Sequence, residues 1–190
     1  MKKNRFLRHL SNYWIFHVLW IIFAVVAVSF EFNLLTKPKD SEKIDLFVCA
    51  NVINEKEFKN YLKQNQPDYL KTINYRIIEP SSLLFGQNFY TYGDVETDIF
   101  FMPIENAKTI KASNFFLPLD TNQCDTLFGK QLEYYIDESD SLQYGIKVNS
   151  SYFDTTNEDL FLLFSKKSLH LGELANKELE GDISIAKLFI

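Results

Sequence analysis

Apolar positions along the chain follow two regimes. Between Arg8 and Glu31 there is no formal charge, and residues 14–30 read WIFHVLWIIFAVVAVSF, interrupted only by His17 and Ser29. A run of this length matches the roughly 20 apolar residues that carry a helix across a bilayer. Beyond it the apolar residues come in short runs, separated by polar and turn-forming stretches, as in a domain built of strands and helices.

Residues 44–50 (IDLFVCA) predict a buried, parallel and central strand. Asn54 with Glu57 three residues on is a helix-start signal of the capping-box kind, and Phe58, Tyr61 and Leu62 follow at helical spacing. That helix ends before Pro67, and residues 72–78 (TINYRII) predict a second strand. Strand, helix and strand in this order form a βαβ unit. A third strand is predicted over 98–103 (DIFFMP), a short helix over 105–112 and an extended apolar segment over 115–120. Residues 137–140 (DESD) read as a loop. Two further strands are predicted over 142–148 and 160–164, and a closing helix carries Ile183, Ile185, Ala186, Leu188, Phe189 and Ile190. The pattern predicts an α/β fold: a three-layer domain around a mainly parallel sheet of about five strands.

The predicted organisation is a basic cytoplasmic segment over 1–12, a transmembrane helix over 13–33, a linker over 34–43 and an extracytoplasmic domain over 44–190. Lys2, Lys3, Arg5 and Arg8 precede the apolar run, and an excess of positive charge marks the cytoplasmic side. The expected location is therefore the cell membrane, single-pass, with the N-terminus cytoplasmic, the bilayer contacted through residues 13–33 and the C-terminal domain outside. The alternative is a cleaved signal peptide with Ala27-Val28-Ser29 as its site. Either reading places residues from about 34 onward outside the cytoplasm.

Charge sharpens this division. Of 20 Lys and Arg residues, four lie in the first eight, so the rest of the chain carries 16 positives against 25 negatives, a net of −9. Nucleic acid is not an expected partner of so acidic a domain, because phosphates select a basic surface. The 30 aromatic residues divide as well: eight, including both tryptophans, fall in the first 32 residues. Most of the remaining Phe and Tyr sit within predicted strands and read as core. Phe89, Tyr90 and Tyr92 alone cluster in a predicted loop, where they either line a ligand cleft or plug a small core.

Candidate chemistry is sparse. No zinc-ligand spacing, no nucleophile elbow and no glycine-rich phosphate loop occurs, so no catalytic residue, metal ligand or cofactor site is assigned and the chain is not expected to be an enzyme. His170, beside Lys166 and Lys167, is expected in a surface loop. Cys49 and Cys124 have two readings, a disulfide or separately buried thiols. Asp94, Glu96, Asp98 and Glu105 fall at calcium-loop spacing, but Ile99 stands where such a loop needs glycine.

Several segments in order resemble the N-terminal lobe of extracellular solute-binding proteins, the capture subunits of ABC importers. They are the strand 43–48 (KIDLFV) with its following helix, residues 96–103 (ETDIFFMP), residues 115–120 (FFLPLD) and residues 160–169 (LFLLFSKKSL). The resemblance covers one lobe of the two such proteins carry, and a membrane helix stands where the family has a lipid-anchored cysteine. It implies a lobe of periplasmic-binding-protein-like fold, a membrane-anchored module serving an importer of sugar or another small solute, and an ABC permease as partner. The alternative is a non-catalytic scaffold whose single lobe contacts another membrane protein. In such a fold ligands bind beyond the carboxyl ends of the strands. That edge directs attention to Asn51 after the first strand, Ser81 after the second and Glu105 after the third, with Tyr90 and Tyr92 folding over it.

Overall fold

The computed structural model describes residues 3–129, 132–154 and 159–190. Lys2 of the basic segment lies outside the described residues. The chain divides into two compact units, Met1–Lys37 and Pro38–Ile190.

The first unit is one helix, α1 (Lys3–Thr36), with a kink at Tyr13, where φ and ψ are −121° and 15°. The kink falls where the charge-free apolar stretch begins. From Tyr13 to Thr36 the helix offers 24 residues of apolar character. At ~1.5 Å per residue this exceeds the ~30 Å of a bilayer's hydrocarbon core. It is long and apolar enough for a membrane span, and a signal sequence has the same form. The helix also consumes the start of the predicted linker, since residues up to Thr36 remain helical and Lys37 still donates its N–H to the Asn33 carbonyl (2.9 Å).

The second unit is an α/β domain. Its strands are β1 (Lys43–Cys49), β2 (Thr72–Ile78), β3 (Ile99–Pro103), β4 (Tyr134–Ile136), β5 (Gln143–Lys147) and β6 (Leu160–Phe164). They form one sheet in the order β2-β1-β3-β6-β5-β4. β1 pairs in parallel with both β2 and β3, whereas the pairs β3–β6, β6–β5 and β5–β4 are antiparallel. The sheet is thus mixed and six-stranded, which corrects the expectation of a mainly parallel sheet of five. A parallel neighbour needs a crossover, usually a helix, to carry the chain back across the sheet. The βαβ unit has one in α2 (Glu55–Gln64), but no helix is described between β5 and β6, and the two strands run antiparallel. β4 reverses into β5 through the predicted loop at 137–140, closed by Ser141 at φ 61° and by Leu142 N–H donating to the Asp140 carboxylate (3.0 Å).

Both faces of the central strands are buried, which is why their apolar residues run without a break. Ile44, Leu46, Val48, Ile99, Phe101, Leu162 and Phe164 enter one core, together with Phe58 and Leu62 of α2, Cys124 of a later helix, and Ile185 and Phe189 near the C-terminus. Phe47, Cys49, Phe100, Met102, Phe161 and Leu163 enter the other. The second core is covered by α3 (Phe85–Asn88), the π-type turn Phe89–Gly93, α5 (Ile104–Lys108) and α6 (Ala112–Phe115), while the short α4 (Asp94–Glu96) buries none of its residues. The first core is also closed by α7 (Thr121–Phe128) and α8 (Gly181–Ala186). Cys49 and Cys124 lie in different cores, on opposite faces of the sheet, and no disulfide joins them. The segment predicted as extended over 115–120 begins instead inside α6. It becomes extended only at Phe116, which bridges Ser165, before Leu117 donates to the Phe164 carbonyl (2.9 Å).

Phe58 is the hub of the first core. Its ring meets Tyr75 of β2 (5.8 Å), Tyr152 (6.3 Å), Phe153 (5.5 Å) and Phe189 (5.8 Å), tying α2 to the sheet edge, to the β5–β6 connection and to the C-terminus. Truncating such a ring leaves a cavity as well as losing its transfer energy. Phe58→Ala is expected to cost roughly 3–5 kcal/mol in chemical unfolding of the detergent-solubilised chain. A cost below about 1 kcal/mol would show that the hub does not support the fold. For α1, alkaline carbonate extraction is expected to leave the full-mass chain in the membrane pellet. A soluble product shortened by about 3 kDa would identify α1 as a cleaved signal sequence, given ~110 Da per residue over the ~28 residues that such a signal carries.

Candidate functional site

The strand order reverses at β1, with β2 on one side and β3 on the other. The connection from β1 to β2 leaves through α2 on one face, and the connection from β2 to β3 leaves through α3 on the opposite face. Two chains departing to opposite faces from neighbouring strand ends leave a crevice between them. Such a crevice is the usual ligand position in open α/β sheets.

A cleft of about 430 Å³ occupies this place, lined by Ala50 and Asn51 after β1, Pro80 and Ser81 after β2, and Pro103, Glu105, Asn106 and Thr109 at and after the end of β3. Asp154 and Leu160 complete the wall. Three of the five residues singled out from the sequence, Asn51, Ser81 and Glu105, are therefore brought together. Tyr90 lies in an adjoining hollow, its ring edge-on to Phe89 (5.4 Å) and Phe115 (6.0 Å). Tyr92 is elsewhere: its ring lies 3.3 Å beneath the Arg76 guanidinium, in a small hollow with Asp45, Asn74 and Glu96. The aromatic cluster is thus split between roles. Phe89 is core, Tyr90 is at the rim of the hollow, and Tyr92 makes a cation–π contact with β2.

The polar groups of the cleft differ in how much of their hydrogen-bonding capacity the protein uses. The Asn106 amide donates to the Pro80 carbonyl (3.2 Å), and Thr109 donates to the Asn106 carbonyl (2.7 Å), so both brace the wall. The Asn51 carbonyl accepts from Asp154 N–H (2.9 Å), beside the bridge Val52–Phe153, which pins the β1 exit loop. By contrast, the side-chain amide of Asn51 and the hydroxyl of Ser81 make no hydrogen bond among the described residues. Glu105 pairs through Oε1 with Lys108 (3.2 Å), an exposed contact. Asn106, Thr109 and Asp154 are absent from the sequence reading. Asn106 and Thr109 carried the signal of closeness to Glu105 on one helix, but Asp154 carried none, because only the tertiary pairing with residues 51–53 brings it there.

The opposite edge of the sheet is closed by a buried polar network, and here the expectation for His170 is corrected. It is 1% exposed. Its Nε2 faces the Asp40 carbonyl (3.1 Å) and its Nδ1 faces the Tyr69 hydroxyl (3.2 Å). A carbonyl can only accept, so Nε2 carries a proton and both ring nitrogens are engaged. Nearby, Asp182 is 0% exposed and neither carboxylate oxygen has a hydrogen-bond partner among the described residues. Burial first, and then the charge of Asp98, hold its pKa well above the ordinary carboxylate range. Asp98 is raised too, by burial, against the lowering effect of Asp45 N–H at 2.9 Å and of His170. Tyr69 is pushed up to about 12, first by burial and then by the Asp182 charge. Gly181, just before Asp182, lets the chain approach closely: a Cβ there would run into Ile44 and the Tyr69 hydroxyl unless those side chains shifted.

Raised carboxyl pKa values mean that the folded chain holds protons the unfolded chain would release. That contribution to stability is complete below the ordinary carboxylate pKa and is lost as pH rises through the raised folded values of Asp98 and Asp182. The melting temperature is expected to fall as pH increases from 5 to 8. Asp182→Asn should flatten that slope and raise the value at pH 8, at roughly 2–4 °C per kcal/mol for a domain of this size. An unchanged slope in Asp182→Asn would show that Asp182 is not the titrating group. Comparisons with protein-family models, with curated proteins and with solved structures return no match to this chain.

Proposed function

We propose that the chain is a membrane-anchored, extracytoplasmic binding module that holds a small polar solute in the cleft beyond β1, β2 and β3. In this reading α1 is the anchor, the basic N-terminus stays in the cytoplasm, and the module serves an importer whose permease is its membrane partner. The observation that supports it best is the convergence of three successive strand exits on one cleft. There the Asn51 amide and the Ser81 hydroxyl have no hydrogen-bond partner among the described residues. Neither group contributes to the fold through a side-chain hydrogen bond, yet both stand where a ligand's polar atoms would be met. An amide that both donates and accepts, beside a hydroxyl and a carboxylate, suits a solute with several hydrogen-bonding groups.

The test uses the full-length chain in detergent or nanodiscs, screened by thermal shift against sugars, amino acids and small amines at millimolar concentration. A ligand of the cleft is expected to raise the melting temperature. Asn51→Ala and Ser81→Ala should each reduce its affinity about 5- to 30-fold, the equivalent of ~1–2 kcal/mol for a lost hydrogen bond, while leaving the unliganded melting temperature in place. Absence of any shift across the panel would overturn the reading.

A further inference from the structure

The cleft does not end at its polar wall. A second hollow of about 340 Å³ adjoins it, and Pro80, Asn106 and Thr109 line both. The two hollows differ in chemistry. In the first, the formally charged wall residues are Glu105 and Asp154, both acidic, and the rest of its polar lining is Asn, Ser and Thr. The second is walled by Leu83, Phe85, Phe89, Tyr90 and Ile110, with Ser82 and Gly86 at its margin. Phe85, Phe89 and Ile110 are buried at its floor, whereas Leu83 is fully exposed and Tyr90 is 57% exposed at its rim. Exposed apolar side chains scattered singly need no explanation, but a leucine and a tyrosine flanking an apolar hollow do.

Taking the cleft as the binding site of the module, we propose that its ligand is an amphipathic cation, with an ammonium head among Asn51, Ser81, Glu105 and Asp154 and an aliphatic or aromatic tail in the hollow between Leu83, Tyr90 and Ile110. Charge selects the head. Among the described residues both ionisable groups of the polar wall are carboxylates, and the Lys108 ammonium that meets Glu105 belongs to neither lining. An anion or a carboxylate-bearing solute would meet repulsion there, whereas an ammonium would replace Lys108 at Glu105 and donate hydrogen bonds to the Asn51 amide oxygen and the Ser81 hydroxyl. Apolar area selects the tail. A ligand confined to the first hollow would leave the second filled with water against Phe85, Phe89 and Ile110, while a tail of four to six carbons removes that surface from water at ~0.8 kcal/mol per buried methylene.

Full-length protein in nanodiscs is titrated with 4-phenylbutylamine, its N-acetyl derivative, butylamine and a neutral sugar, with binding read by calorimetry. Phenylbutylamine is expected to bind at least tenfold more tightly than either the acetylated or the shortened probe. Tyr90→Ala and Glu105→Gln should each weaken it about tenfold, and Lys108→Ala should tighten it. Tyr90, Glu105 and Lys108 are exposed, so these variants are expected to fold, and an unchanged melting temperature without ligand confirms it. Equal binding of the acetylated probe, or of the shortened one, overturns the amphipathic cation while leaving the cleft as a binding site. Binding of the sugar alone does the same. Phenylbutylamine binding that no variant alters is partition into lipid and overturns the proposal. Binding of no probe, together with no thermal shift in the wider panel, removes both the proposal and the reading on which it rests.

Discussion

Everything in the domain follows from the need to bury both faces of β1, β3 and β6. These strands carry FVC, IFFMP and LFLLF, with large apolar residues at successive positions, and side chains on a strand point alternately to opposite faces. A sheet with one wet face would expose half of them. The chain therefore has to supply cover on two sides, and it does so with different material. One face receives amphipathic cover from α2 and α7, together with the short, almost wholly buried α8. The other receives a succession of short turns, α3 to α6, whose phenylalanines fill the space that a single long helix would have taken. Aromatic rings serve both solutions: Phe58, Phe101, Phe153, Phe164 and Phe189 pack in the first core, and Phe47, Phe85, Phe89, Phe100 and Phe116 in the second.

The same constraint creates the cleft. Covering both faces forces the connections after β1 and after β2 to depart in opposite directions, so the ends of β1 and β3 cannot be roofed by either. Pinning of the β1 exit loop by residues 152–154 then fixes one wall, and the Asn106–Pro80 hydrogen bond fixes the other. What is left open is defined by packing elsewhere.

Legibility in the sequence divided along the range of the interactions concerned. β1, α2 and β2 were readable because each is specified locally: a capped helix with Asn54 accepting from Glu57 N–H (3.3 Å), flanked by two runs of strand-forming residues. The edge carrying Asn51, Ser81 and Glu105 follows from the order of three strands and the rule that ligands lie beyond their carboxyl ends. The direction of β6 was not readable, because apolar content does not distinguish a parallel from an antiparallel central strand and only its connection does. β4 is not legible because three residues, Tyr134, the buried Tyr135 and the exposed Ile136, are too few to carry a periodicity. His170 was misread for a related reason. Its neighbours Lys166 and Lys167 are exposed, and its burial depends on Tyr69 and Asp40, which no local pattern ties to it.

The two ends of the strands treat their polar groups differently. At the edge where β1 begins, polar groups turn inward: His170 spends both ring nitrogens, and Asp98 and Asp182 are held in a region where ionisation is costly. Replacing such groups would change stability and its pH dependence, and their burial keeps them from solvent. At the edge where β1 ends, the bracing runs through the Asn51 and Pro80 carbonyls and the side chains of Asn106 and Thr109, while the side chains of Asn51 and Ser81 stay outside that framework. A group already satisfied within the protein must break a bond to engage a ligand, whereas a solvated one exchanges water for it. Polar side chains are thus buried at one end of the strands and left solvated at the other, and this asymmetry, more than the size of the cleft, sets the carboxyl edge apart from the rest of the domain.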